Sequence, residues 1–318
     1  MCAQEAPFEA PIEELRRRID ELEGFPPGSG RRKELKQLRS DLEKTTKEVY
    51  GRLTRWEKTL VARHFERPYT LEYVGCLMSD WVEIHGDRAH ADDAAIVAGM
   101  ATFRGRSVAV VGHQKGRGTK ERIERNFGQP RPEGYRKALR VMRMAEKFGL
   151  PVLTFVDTPG AYPGVGAEER GQAEAIARNL IEMASLRVPI IVTITGEGGS
   201  GGALALGVGN RVLMLQYAIY SVISPEGCAA ILWKDQQKKP EAAEAMRLTA
   251  PDLLELEVVD EIVPEPLGGA HADPEATCLE VGEALARNLE ELVGKSPEEL
   301  VEHRYERFRV LGVFEEKG

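Results

Sequence analysis

Between Pro151 and Leu206 the chain runs twice through one local plan: a short apolar run, a glycine-rich loop, then a helical segment. Val152–Val156 and Ile190–Ile194 are apolar, rich in β-branched residues and of the length of a buried strand. The loop Asp157–Gly166 holds three glycines and two prolines, so it has a defined shape without regular structure. A helix is predicted after it, from about Ala167 to Leu186. Two such units in succession point to parallel strands whose loops lie along one edge of a sheet. Ligands of such sheets bind beyond the carboxyl ends of the strands. Both loops are therefore expected to face one cleft.

The second loop is the more restrictive. Gly198-Gly-Ser-Gly-Gly202 carries almost no side chain, and a helix is predicted to start at about Gly201. The first N–H groups of a helix are unpaired and lie at the positive end of its dipole, so a bare helix start can receive an oxygen that is negative or becoming so. Four readings compete. A Walker phosphate loop requires a lysine after the glycines, and none follows. Gly196-Glu-Gly-Gly-Ser-Gly201 has the dinucleotide spacing G-x-G-x-x-G, yet no acidic residue stands about 20 positions on, around Tyr220 and Ser221. The second reading is a nucleophilic serine: Gly198-Gly-Ser200-Gly-Gly202 satisfies G-x-S-x-G, and Asp260 with His271 or His303 completes a triad in order. The third is an oxyanion hole made of backbone donors with no nucleophile beside it. In the fourth, the glycines only let helix and strand pack closely. Asp157-Thr-Pro-Gly160 resembles the D-x-x-G element of GTPases, but the Walker lysine and the Asn-Lys-x-Asp element are missing.

Several separated segments, taken in order, narrow the choice. They are Gly112-His-Gln-Lys-Gly116, Arg125-Asn-Phe-Gly128, Pro132-Glu-Gly-Tyr-Arg-Lys-Ala138, Asp157-Thr-Pro-Gly-Ala-Tyr-Pro-Gly164, Gly196-Glu-Gly-Gly-Ser-Gly-Gly-Ala203 and Ser224-Pro-Glu-Gly-Cys228. With them the chain resembles, from about Pro11 to its last helix, the carboxyltransferase alpha subunit of multi-subunit acetyl-CoA carboxylases. The resemblance implies an α/β, crotonase-like fold: a spiral of ββα units with an N-terminal helical extension and C-terminal helices. It implies an enzyme that moves the carboxyl group from carboxybiotin to acetyl-CoA, giving malonyl-CoA, the first committed step of fatty acid synthesis. It implies activity only with a beta subunit, as an α2β2 assembly, with the biotin carboxyl carrier protein and biotin carboxylase as further partners. No cofactor is expected to be bound covalently, since the carrier presents the carboxybiotin.

By the same resemblance, Gly201, Gly202 and Ala203 donate main-chain N–H groups to the ureido oxygen of biotin. Gly160, Ala161, Tyr162, Gly164, Gly198, Gly199 and Ser200 shape the carboxybiotin cleft, and the beta subunit holds the thioester enolate oxygen. The alternative is a stand-alone crotonase-like hydrolase or hydratase that uses Ser200 or the same oxyanion hole. A non-catalytic docking scaffold is the third reading.

Charge adds one site. Positions 115 to 147 hold eleven Lys and Arg against four Glu, inside a chain of net charge −8. Lys115, Arg117, Lys120, Arg122 and Arg125 are candidate contacts for CoA phosphates or an acidic partner. The plainer account is a solvated amphipathic helix over Pro132–Phe148, with Leu139, Met142, Ala145 and Phe148 inward. The acidic total argues against nucleic acid as the main ligand. His113 follows a strand end and reads as a loop histidine near the cleft, and Asp87 and Arg88 read as a turn. Cys2, Cys76, Cys228 and Cys278 form no CxxC, so no metal is expected, and their dispersal suits a reducing cytosol. The family's zinc ribbon belongs to the beta subunit. No charged-then-apolar leader opens the chain and no apolar run nears the ~20 residues of a membrane span, so a cytoplasmic location is expected.

The expected organisation is a charged helical arm over 1–66, making subunit contacts, and a crotonase-like domain over 67–318 with helices from about 274. Apolar stripes on the arm, Ile12, Leu15, Ile19 and Leu22, then Leu35, Leu38 and Leu42, need a partner surface. Strands are predicted at Ala95–Phe103, Ser107–Val111, Asn210–Leu215 and Ala218–Val222. Ser224-Pro225, Asp273-Pro274 and Ser296-Pro297 read as helix caps, the last with Glu299 closing a capping box.

Overall fold

The structure, a computed structural model, describes residues 6–24 and 29–312. Eight strands form one mixed sheet: β1 Met78–Glu83, β2 Ile96–Phe103, β3 Arg106–His113, β4 Val152–Thr158, β5 Ile190–Gly199, β6 Arg211–Leu215, β7 Ile219–Ser221 and β8 Glu261–Val263. The order is β1-β2-β3-β4-β5-β6-β8, with β7 paired to the far end of β5. β1, β2 and β3 are antiparallel, and the sheet is parallel from β3 onward. β2 and β3 are joined through Arg104 and Gly105, both at positive φ (48° and 79°), as a tight two-residue hairpin requires. β4 and β5 are buried along their whole length, which is why their sequences read as continuous apolar runs.

The predicted helix Pro132–Phe148 forms with those bounds and crosses from β3 to β4. It buries Leu139, Met142 and Ala145, but Phe148 is 63% exposed. The helix stops at Gly149, in the left-handed region, and Lys147 Nζ lies over the exposed Phe148 ring. The helix expected over 167–186 is two helices, Val165–Glu169 and Gln172–Ser185, because Gly171 takes φ 80° between them. The helix after the second glycine loop is short, Ser200–Leu204.

The N-terminal helices are Ala10–Glu23, Ser29–Tyr50 and Arg55–Ala62. Their apolar stripe is largely met within the chain: Ile12, Tyr50, Leu53 and Val61 pack with Tyr217, and Phe8, Leu42 and Val49 flank them. Ile19 and Leu38 are buried as well. At the other end, the helices Pro274–Val293 and Pro297–Arg309 start on the predicted Asp273 and Ser296 caps. The first adds Val281, Leu285 and Leu292 to the main core. The second is fixed by Arg304, 1% exposed, whose guanidinium donates to the carbonyls of Met183, Leu186 and Val188 and to Asn210 Oδ1. No helix among the described residues is long and apolar enough to cross a membrane.

Candidate functional site

The parallel register of β4 and β5 pairs Thr158 with Gly198, so the loops Asp157–Gly166 and Gly196–Gly202 leave the sheet side by side. They pack main chain on main chain. A Cβ on Gly199 would run into the Pro159 carbonyl, and one on Gly202 would lie 2.6 Å from Gly160 C and 2.7 Å from Ala161 N. Glycine is required at both positions because the neighbouring loop occupies the volume of a methyl group. Thr158 pins the first loop, its Oγ1 donating to Gly160 O and accepting from Gly160 N. Tyr162 N donates to Pro130 O, Gln172 donates to Tyr162 O, and Arg131 stacks 4.9 Å from the Tyr162 ring. Gly164 in turn lies against that ring. Ala161, Tyr162, Gly164, Ser200 and Gly201 form a half-buried rim, while Gly160, Gly198, Gly199, Gly202 and Ala203 are buried behind it.

The second loop turns through Ser200, a non-glycine residue at φ 50°. Ala205 N bonds back to Gly201 O, so a helical turn is present. Gly201 and Gly202 stand in the first turn of the helix Ser200–Leu204, ahead of its first backward bond, where N–H groups have no partner within the helix, whereas Ala203 N–H falls where that bond, to the carbonyl of the Gly199 N-cap, begins. Two successive amides, those of Gly201 and Gly202, therefore lack a partner within the helix at the meeting point of the two loops, and Ala203, expected to be the third donor, stands at the helix's first bond.

A chain of charges lies under the loops. Lys115 Nζ is 2.6 Å from Asp157 Oδ1, which also accepts from Glu197 N at 2.9 Å. Gly196 has no room for a side chain because the Asp157 carboxylate fills it. Arg63 bridges Glu197 and Glu226, at 2.7 Å each. Burial works against the Lys115 charge, but Asp157 and Glu197 outweigh it and raise its pKa above the ordinary lysine value. Burial likewise opposes ionisation of Glu226, and the Arg63 hydrogen bond and charge reverse that, leaving its pKa lowered. Fully paired networks of this kind rigidify their surroundings. Here the network fixes the roots of both loops and joins them to the N-terminal segment.

The structure separates the five basic candidates. Lys115 is committed to Asp157. Arg117 is held by Glu72 and the carbonyls of Phe65 and Arg67, with its guanidinium 3.9 Å from the Tyr69 ring. Arg125 pairs with Glu121 and donates to Ala94 O. Arg122 lies over the exposed Phe127 ring, and Lys120 is exposed and forms no ion pair among the described residues. Asp87 makes the expected turn, accepting from the N–H groups of Ala89, His90 and Ala91.

The serine triad is not assembled. Among the described residues Ser200 makes no hydrogen bond to a histidine, His271 stacks on His64 at 3.7 Å, and His303 lies 3.5 Å from Asn210. Asp260 is taken by Val212 N and Arg307. Sequence reasoning missed Arg63, Glu197 and Glu226. The available signal was an acid set between glycines at the end of an apolar strand, which requires a cation once buried. His113, read as a loop residue, is the last residue of β3 and fully buried.

Comparison with known proteins places this geometry. The family model described as "Acetyl co-enzyme A carboxylase carboxyltransferase-like" matches residues 5–312. Proteins named acetyl-coenzyme A carboxylase carboxyl transferase subunit alpha are similar nearly end to end. That of Geobacter metallireducens is 60% identical over 97% of this chain and 98% of its own length. That of Bordetella pertussis is 57% identical over 97% of each, and that of Sorangium cellulosum 56% over 99% of each. Among solved structures, transcarboxylase 12S with methylmalonyl-coenzyme A and methylmalonic acid bound has a TM-score of 0.56 at 22% identity, over 70% of this chain and 42% of that one. A Pseudomonas malonate decarboxylase hetero-tetramer in complex with coenzyme A has 0.56 at 18%, over 67% and 85%. At such identities the likeness establishes the fold, crotonase-like α/β, and nothing further.

Proposed function

The chain belongs to the acetyl-CoA carboxylase carboxyltransferase alpha-subunit family, and on that footing we propose how its two glycine loops serve the carboxyl transfer. The reaction moves a carboxyl group from carboxybiotin to acetyl-CoA and forms malonyl-CoA. The observation that carries the proposal is that Gly201 and Gly202 open the first turn of a helix, ahead of its first backward bond, with the backbone of Gly160 and Ala161 packed against Gly202.

The donor set fits a urea oxygen. It consists of main-chain amides alone, with Gly201 on the half-buried rim and Gly202 buried behind it, and every carboxylate in the charge chain beneath is paired to a cation. When bound, carboxybiotin supplies the carboxyl group. This chain's part is to bind the ureido oxygen through the amides at this helix start and to stabilise negative charge on it as the carboxyl group leaves. Fixed dipoles suit that task, because they do not reorganise during the reaction and add no side chain that competes as a base. The Asp157–Gly166 loop, through Gly160, Ala161 and Tyr162, would form the other wall of the carboxybiotin site. Gly198, Gly199 and Ser200 set the direction of the donors. Lys120 and Arg122, the two of the five basic candidates that form no ion pair among the described residues, are left to meet CoA phosphates or an acidic partner.

An alpha subunit implies a partner subunit. We assign the acyl-CoA oxygen to that beta partner, in an α2β2 enzyme served by a biotin carboxyl carrier protein and a biotin carboxylase in the cytoplasm. Reconstitution tests this. The purified chain alone should form no malonyl-CoA from carboxybiotin and acetyl-CoA, and adding a carboxyltransferase beta subunit should switch activity on. Thioester turnover by the isolated chain, or labelling of Ser200 by a serine-reactive probe, would overturn the assignment in favour of a hydrolase.

A further inference from the structure

Between the helices Pro132–Phe148 and Gln172–Ser185 a groove opens into a cavity of about 360 Å³, and none of its lining residues belongs to the two glycine loops. Small-molecule sites span roughly 300–1,000 Å³, so this volume suits a small ligand and not a whole coenzyme. Arg136, Arg140 and Arg143 recur at i, i+4 and i+7, which sets three guanidinium groups along one face of the first helix, over about 10 Å. Arg178 lines the cavity from the second helix.

The protein's own carboxylates answer only part of this charge. Asp87 pairs with Arg136 at 2.7 Å. A single carboxylate, Glu182, is shared by Arg143 and Arg178, at 2.5 and 2.9 Å. Arg140, half-buried between Arg136 and Arg143, forms no ion pair among the described residues. Its one hydrogen bond there runs from Nη2 to His85 O at 2.7 Å, and its Nε is buried without a partner. A guanidinium carries five N–H donors in a planar fork, so most of those on Arg140 are unspent.

Two acceptors line the same cavity. Asn179, 1% exposed, spends its Nδ2 on Tyr135 O and Ala205 O and leaves its Oδ1 buried without a donor. Glu174, on the exposed side, forms no ion pair among the described residues. Buried donors and acceptors are costly to leave unmade. Here an orphaned donor and an orphaned acceptor belong to the walls of one cavity.

We propose that this groove binds a sugar phosphate, with the phosphate on Arg140 between Arg136 and Arg143. A planar carboxylate is satisfied by one guanidinium fork, whereas a tetrahedral phosphate offers oxygens to donors that arrive from successive helical turns. Hydroxyl groups on the same molecule supply the donors that Asn179 Oδ1 and Glu174 lack. Nothing in this site depends on the assignment of the glycine-loop amides.

The test is made on the enzyme reconstituted with its beta subunit, by titration calorimetry. The probes are ribose 5-phosphate, glucose 6-phosphate and glycerol 3-phosphate, with inorganic phosphate and ribose as the two halves of the ligand. We expect at least one of the phosphate esters to bind about tenfold more tightly than inorganic phosphate, and ribose not to bind. Arg140→Gln should weaken that ester about tenfold, and Arg140→Lys should recover part of the loss. Arg309→Gln, an equal change of charge outside the groove, should leave its affinity unchanged. Without ligand, carboxyl transfer by Arg140→Gln should match the parent. Should Arg140→Gln fail to assemble, Arg178→Gln probes the opposite wall and should weaken the ester about threefold. Absence of binding by all three esters into the millimolar range would overturn the site. Inorganic phosphate binding as tightly as the esters would overturn the sugar phosphate as its ligand. Equal losses in Arg140→Gln and Arg309→Gln would show a diffuse attraction of charge, and loss of carboxyl transfer in an assembled Arg140→Gln enzyme would place Arg140 in the catalytic site; either result overturns the proposal.

Discussion

At Gly201 an added methyl group meets Ile176 Cδ1 at 3.5 Å, an ordinary contact, whereas at Gly202 it lands 2.6 Å from the Gly160 carbonyl carbon. Two adjacent glycines in one motif therefore have different tolerances. Gly201→Ala should keep kcat within threefold of the parent. Gly202→Ala should wedge the two loops apart and misdirect the amides, at a cost of about 100-fold or more in kcat, comparable to deleting an oxyanion donor. Steady-state assays of the two variants with the beta subunit present check this, and equal behaviour would contradict the loop packing. The sequence marks both positions only as glycine. The demand at Gly202 comes from a loop some 40 residues earlier, so no local pattern carries it. Lys115 makes the same point with the opposite sign: it stands in a basic run that reads as a ligand contact, and folding turns it inward onto Asp157.

The elements were more legible than their connections. The helix Pro132–Phe148, the hairpin at Arg104-Gly105 and the caps at Ser224, Asp273 and Ser296 follow from periodicity and local capping chemistry, which depend on residues a few positions apart. The break at Gly171 was not legible, because a lone glycine is tolerated within a helical pattern. Nor was the way the N-terminal segment is fastened to the sheet. Arg67, 1% exposed, makes a two-point bond to the buried Glu265 carboxylate, 2.8 Å on each side, and donates to Thr195 O of β5. Glu265 also accepts from Tyr217 N and Ala270 N. Replacing Arg67 by Met leaves that carboxylate buried without its cation, and a loss of about 3–5 kcal/mol is expected. Urea unfolding of the isolated chain measures it. A loss below about 1 kcal/mol would mean that the arm and the sheet unfold independently.

On the scale of the molecule, buried histidines set the response to acid. His113 and His271 have pKa values of about 4 and about 3, against 6.5 for a free histidine, burial being the main cause in each. In the unfolded chain both bind a proton as the pH falls through 6.5, whereas in the folded chain they do not. Between pH 6.5 and about 4 the unfolded state therefore holds more protons, so stability falls as the pH falls, and each such site contributes up to about 3 kcal/mol of the loss. His113→Phe should flatten this dependence. The urea midpoint of that variant should drop less than the parent's between pH 7.5 and pH 5, and parallel drops would show that His113 takes up its proton in the folded chain.

By itself the sequence determined which segments become strands, helices and caps, that two glycine loops leave one edge of a parallel sheet, and, through a series of separated motifs, the family. These are matters of local stereochemistry and of hydrophobic period, and they are written in residues close together in the chain. Only the tertiary structure decided that Gly202 abuts Gly160, that Lys115 faces Asp157, that Arg63 joins Glu197 to Glu226, and that Arg67 meets Glu265. Each of these pairs residues from different elements, and which side chain meets which is fixed by strand register and by packing in a space where every charge and every methyl group must be accommodated at once.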